Sequence, residues 1–229
     1  MTRTPTLKAS AQARLLLYRL LSLKITETED RLLKTNPSLW EQILAMLENA
    51  IASDTQIKSD EVVLKQAFSH IDRTTRDGLQ RQLERLTGQS LWLGVHATGL
   101  LDSFVEEHQK LIKSVQREHI DKISLAIKRG IREGQLQNDM AKEIRNQTNL
   151  SKRRSQLIAR NAPLQYSGAL TKHHQISSGI KRYRWQTSQD EKVRSSHRNR
   201  NDDIYSWDSS GPYPRSEVNC RCDAVPILD

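Results

Sequence analysis

The residues best able to do chemistry cluster near the C-terminal end of this 229-residue chain. Asp190, Arg194 and His197 stand at i, i+4 and i+7. Cys220 and Cys222, the only cysteines, flank Arg221. If residues 188–197 are helical, Asp190, Arg194 and His197 share one face. Two readings then stand side by side. One is an Asp–Arg pair near a helix start with a histidine packed behind it; the other is a polar site with His197 as metal ligand or proton carrier. If residues 220–228 form a strand, both sulfurs point the same way, which suits chelation of a soft metal, whereas a disulfide across one residue is strained. With His197 and a fourth ligand from Asp190, His173 or His174, this set would make a tetrahedral zinc site. The spacing is not that of a standard zinc finger, and two reduced thiols packed in a small core satisfy the same residues. One histidine and one carboxylate are a thin catalytic set, and no glycine-rich phosphate loop or nucleophile elbow occurs.

These residues need a scaffold. Residues 180–187 alternate and carry Tyr183 and Trp185, a strand pattern. Ser188 with Glu191 reads as a capping box opening the helix through His197, residues 199–219 read as loop, and 220–228 as a closing strand. Upstream the periodicity is helical. Residues 8–33 place Leu15, Leu16, Tyr18, Leu20, Leu23 and Ile25 in one broad stripe. Asn36-Pro37-Ser38 breaks it, and Ser38 with Glu41 caps a helix carrying Leu39, Ile43, Leu44, Leu47 and Ile51 that ends at Ser53-Asp54. A third helix over 59–86 buries Val62, Val63, Ala67, Ile71, Leu79, Leu83 and Leu86. After Thr87-Gly88 a long pattern runs from Leu101 to Ile127 and is loosened by Gly130 and Gly134. Two shorter helices follow over 138–148 and 151–176, the second kinked by Pro163. The expected fold is mainly α: an elongated helical N-terminal region, 1–134, that docks on something else, and a small basic α+β domain, 135–229.

The order Trp185, Thr187, Asp190, Arg194, His197, Cys220-Arg221-Cys222 and Pro226, with Ile158-Ala159-Arg160-Asn161 upstream, resembles the C-terminal domain of the phage Mu F-like minor head proteins of tailed bacteriophages. The chain departs from that pattern after His197, where Arg198-Asn199-Arg200-Asn201 stand in place of a glycine. The resemblance implies a virion structural protein present in few copies inside the capsid, near the portal. Its implied partners are the portal and capsid or scaffold proteins, and its implied roles are head morphogenesis and DNA packaging or ejection.

Composition points to a polyanion. The net charge is +9, with 36% hydrophobic and 28% charged residues and a mean hydropathy of −0.69. Residues 151–200 carry twelve Lys and Arg against Asp190 and Glu191, a balance of +10, so the rest sums to −1. Non-specific contact with duplex DNA is the simplest use of such a segment, through Lys152, Arg153, Arg154, Arg160 and Arg194; an acidic protein face is the alternative. No aromatic interleaving suggests single-strand binding. No apolar run approaches the roughly 20 residues of a membrane span; residues 15–21 are broken by Arg19 and lack a signal-peptide cleavage site. Two cysteines are no secretory framework, so synthesis in the host cytoplasm is expected. The rival functions are a metal-dependent nuclease or toxin-like enzyme, and a zinc-stapled DNA-binding module with no virion role.

Overall fold

The computed structural model describes residues 5–51, 54–89, 93 and 97–228. Helix dominates: α1 (Pro5–Leu33), a short 3-10 turn (Pro37–Leu39), α2 (Trp40–Ile51), α3 (Asp54–Thr87), α4 (Thr98–Arg132) and α5 (Gln137–Ser177). Strand β1 (Arg182–Gln186), the single-turn helix α6 (Ser195–Arg198), β2 (Ile204–Ser206) and β3 (Asp223–Ile227) follow. The strands form an antiparallel sheet in the order β2-β1-β3. The protein is thus mainly α with a small α+β part at the C-terminal end, as its periodicities indicate.

The chain folds into two compact units, each assembled from separate segments: Leu15–Gln66 with Val105–Ala159, and Met1–Arg14 with Ala67–Phe104 and Arg160–Asp229. The division is not a single cut along the chain.

The first unit is all helix. Its core joins Leu32, Trp40, Leu44, Leu47 and Ile51 to Ile120, Ile123, Ile127, Met140 and Ile144. Trp40 donates its indole N–H to the Leu32 carbonyl at 2.7 Å, so this large side chain is buried with its polar atom satisfied. The turn before α2 is capped by Asn36, whose side chain accepts from the Ser38 N–H and hydroxyl, and not by a Ser38–Glu41 box. The buried series of α1 here is Leu17, Leu21, Ile25 and Leu32, while Leu15 and Leu23 are 49% and 57% exposed. A leucine-rich helix offers several apolar faces, and the one with the better i, i+4 continuity is buried. In α3, Val62 and Leu86 likewise face solvent while Leu64 and Phe68 are buried. The α3 C-terminus closes on Gly88, whose φ of +70° suits glycine. Of the expected break at Ser53-Asp54, Ser53 lies outside the described residues.

The two helices expected over 138–148 and 151–176 are one continuous helix with Pro163 inside it. Thr148 and Ser155, on either side of the expected break at Asn149-Leu150, turn their hydroxyls to the Ile144 and Ser151 carbonyls and so offer the backbone no competing partner outside the helix.

Candidate functional site

The C-terminal part of α5 and the sheet build the site. Strand β1 alternates strictly: Arg182, Arg184 and Gln186 point outward, Tyr183 and Trp185 inward. With Trp207, Cys220, Cys222 and Ala224 these two aromatics form a small core. Tyr183 packs on Trp207 with ring centroids 4.0 Å apart. Helix α5 is tied to this core by the fully buried Gln175, which donates to the Ala224 carbonyl and accepts from the Trp207 indole. A second tie is Arg215, which donates to Ser167 at 2.7 Å and pairs with Asp223. Gly168 permits that approach: a Cβ there would lie 2.7 Å from the Arg215 Cβ and 2.8 Å from the Pro214 carbonyl oxygen.

His197, Cys220 and Cys222 meet in this core. All three are buried, and their ligating atoms lie within 4.8 Å of one another. His197 Nδ1 is 3.6 Å from Cys220 Sγ and 3.5 Å from Cys222 Sγ. Its other nitrogen, Nε2, is 2.5 Å from the Glu217 carboxylate, which also accepts from Arg194 at 3.3 Å. The Arg194 guanidinium additionally donates to the Val218 carbonyl. Cys220 is held at about 5, well below the usual thiol range, first by the Cys222 thiol and then by the Cys222 and Arg215 backbone N–H groups and His197. Cys222 is pushed up by the same neighbour and by burial. The two sulfurs are tightly coupled, and Cys220 is the more acidic of the pair. The buried Trp185 Nε1 falls short of a hydrogen bond by geometry, yet it favours the Cys222 thiolate.

The route to this cluster differs from the expected one. No helix runs from 188 to 197, so Asp190, Arg194 and His197 do not share a helical face. Gln189 takes a φ of +52° and Asp190 accepts from the Lys192 N–H, an Asx turn that competes with the helix. The Asp190 carboxylate is gripped from both sides by Arg221 at 2.5 and 2.7 Å, which holds its pKa below the usual carboxylate range. It is outside the His–Cys–Cys group. The cysteines precede β3 instead of lying in it, and their sulfurs converge through a bent chain with Asn219 at a φ of +59°. His174 lies 3.6 Å from Asp72, likewise outside the cluster. The turn after His197 works without glycine because Asp202 takes the left-handed conformation, φ +69°. Strand β2 lies inside the segment expected to be loop; at three residues it is too short for periodicity to reveal. Glu217 and Arg221 carry no spacing signal either, since their partners are set by the path of an irregular loop.

A family model described as "Phage Mu protein F like protein" matches residues 121–225. Residues 121–225, just under half of the chain, are thus similar to the phage Mu F-like family. The family is head-related, and every residue of the His–Cys–Cys cluster lies inside the matched stretch. An uncharacterized protein of Haemophilus influenzae is 32% identical over 123 residues, which cover 52% of this chain and 28% of that protein. The chain thus matches under a third of that relative's length. No solved structure matches.

The basic residues of the Mu F-like stretch divide into paired and unpaired. Lys152 pairs with Glu29 at 3.4 Å, Arg154 with Glu118, and Arg194 with Glu217. Arg153 and Arg160 are exposed on α5 with no carboxylate partner among the described residues. The Lys152-Arg153-Arg154 run lies well inside α5 and not at a helix start. No described helix is long and apolar enough to cross a membrane.

Proposed function

We propose that this chain is a minor head protein of a tailed bacteriophage, docked at the portal inside the capsid and acting in head morphogenesis and in DNA packaging or ejection. The Mu F-like match over residues 121–225 carries the reading. The +10 balance of residues 151–200 supports a place beside packaged DNA. The reading assigns no catalysis: Asp190 is committed to Arg221, and His197 to two sulfurs and Glu217. The portal, capsid or scaffold proteins and non-specific duplex DNA are its partners.

Docking falls to the apolar side chains that the first unit leaves outside, Leu15, Leu23 and Met46. Leu15→Glu with Leu23→Glu is expected to abolish incorporation into heads while far-UV circular dichroism and Tm stay near wild type. Co-sedimentation of the double variant with heads at the normal level would remove the docking role. Substitution is a cleaner probe than truncation before Ser59, which would also strip Leu32, Trp40, Leu44, Leu47 and Ile51 from the core.

Binding to duplex DNA is expected to weaken linearly on a log–log plot against salt, whatever the sequence. Arg153→Glu with Arg160→Glu should flatten that slope by about 1.8 if each arginine neutralises one phosphate. An unchanged slope would take these two residues out of the interface. Reversing Lys152, Arg154 or Arg194 instead would break ion pairs of the fold.

A further inference from the structure

The two nitrogens of His197 have unlike surroundings. Nε2 faces a carboxylate, which only accepts hydrogen bonds, so Nε2 carries the proton. In the neutral ring Nδ1 then presents its lone pair, and what it faces is two sulfurs at nearly equal distance. The Arg215 backbone N–H donates to one of these sulfurs, Cys220 Sγ, at 3.2 Å. Three electron-pair donors thus converge in a buried space. Such an arrangement suits a soft cation held among them.

The distances fit one. Zinc bonds of about 2.3 Å to sulfur and about 2.05 Å to nitrogen, at a tetrahedral angle, place the nitrogen and sulfur about 3.6 Å apart. The observed separations are 3.5 and 3.6 Å. The carboxylate behind the imidazole is the usual outer partner of a metal-bound histidine, fixing the tautomer and raising the basicity of the ligating nitrogen. Arg194 in turn orients that carboxylate. Arg221, between the two cysteines, turns away to grip Asp190 and leaves the sulfurs to the site.

We propose that His197 Nδ1, Cys220 Sγ and Cys222 Sγ hold one soft divalent cation of the zinc class, with Glu217 and Arg194 as the positioning residues behind the histidine. Two thiolates and a divalent cation are neutral together, which suits a buried site. Among the described residues no fourth His, Cys, Asp or Glu joins the group, so the remaining position belongs to a ligand from outside it. The cation ties together the two ends of residues 198–219, a mostly polar segment anchored between them by Trp207, with Tyr205 and Tyr213 packed beside it.

The test uses the full chain, purified under reducing conditions, stripped of metal and titrated with Co2+ and then Zn2+. One Co2+ per chain is expected, with thiolate-to-cobalt charge transfer in the near ultraviolet and the intense visible bands of tetrahedral cobalt, both displaced by Zn2+. Cys220→Ser and Cys222→Ser should each lose the charge-transfer intensity of one thiolate. Glu217→Gln should keep the bands and weaken affinity tenfold to a hundredfold. Chelator should lower the Tm of the wild type. A folded wild-type chain that shows no cobalt bands and no chelator effect would overturn the proposal, as would bands that survive both cysteine substitutions. If a serine variant fails to fold, the wild-type titration and Glu217→Gln still decide.

Discussion

Trp185→Ala is expected to destabilise the unit that carries the sheet by about 3–5 kcal/mol, the range for truncating a large buried aromatic. Trp185 is 0% exposed on the central strand. It packs edge-on against His197 with centroids 5.3 Å apart and against Tyr205 at 5.9 Å, and the Arg200 guanidinium lies 5.1 Å from its ring centre. The core around it is built from the rings of Tyr183 and Trp207, with Tyr205 and Tyr213 packed against them, and such stiff side chains refill a cavity poorly. Chemical denaturation followed by near-UV circular dichroism measures the loss. Hydrogen exchange should report it locally, at the Trp185 N–H bonded to Asp203 and the Asp202 N–H bonded to Trp185. Trp185→Phe should retain most of the apolar contact and cost markedly less. A loss below about 1 kcal/mol for the alanine variant would show that the sheet is not organised on this side chain.

The second large effect is an acid sensitivity of the helical unit. His119 is buried and accepts or shares a proton with Ser151 at 3.0 Å. Burial, and then Lys152 and Lys122, lower its pKa from 6.5 to about 4, while the Ile25 carbonyl acts in the opposite direction. It lines a cavity of about 60 Å³ together with Lys24, Glu27, Arg31 and Gln116, so a proton would add charge beside two cations and one carboxylate. The neutral ring is therefore the native form. Above about pH 6.5 both folded and unfolded chains hold it neutral, and its full contribution is present. As the pH falls towards 4 the unfolded chain takes up a proton that the folded chain refuses, and stability declines. A depression from 6.5 to about 4 corresponds to about 3 kcal/mol. His119→Asn keeps a short polar group for Ser151 but does not titrate there. Its stability deficit relative to wild type at pH 7 should shrink by about 3 kcal/mol by pH 4, as read by urea denaturation across that range. A deficit that stays constant with pH would assign the acid response to other groups.

The sequence by itself determined what short-range physics controls. Helix follows from i, i+3, i+4 repetition, and Gly88 ends α3 where the pattern stops. Strand β1 follows from the alternation of Arg182, Arg184 and Gln186 with Tyr183 and Trp185. The cluster of His197, Cys220 and Cys222 was legible as chemistry, because few residue types bind soft metals and the chain has only these two cysteines. Tertiary structure decided everything that depends on which surfaces meet. The phase of α1 was one such choice, since leucines at 15, 17, 21 and 23 permit more than one apolar face and only packing selects Leu17 and Leu21. The continuity of α5 was another, because Ser and Thr inside a helix are tolerated when their hydroxyls find a carbonyl four residues back. The polar partners of the site were the third. Asp190 lies seven residues from His197 and could have faced it on a helix, but an Asx turn and the guanidinium of Arg221 claimed it. Glu217, in a loop with no periodicity, became the residue behind the histidine. Short-range patterns cannot specify such pairs, because they form only when a sheet and a long helix fold a loop back upon itself.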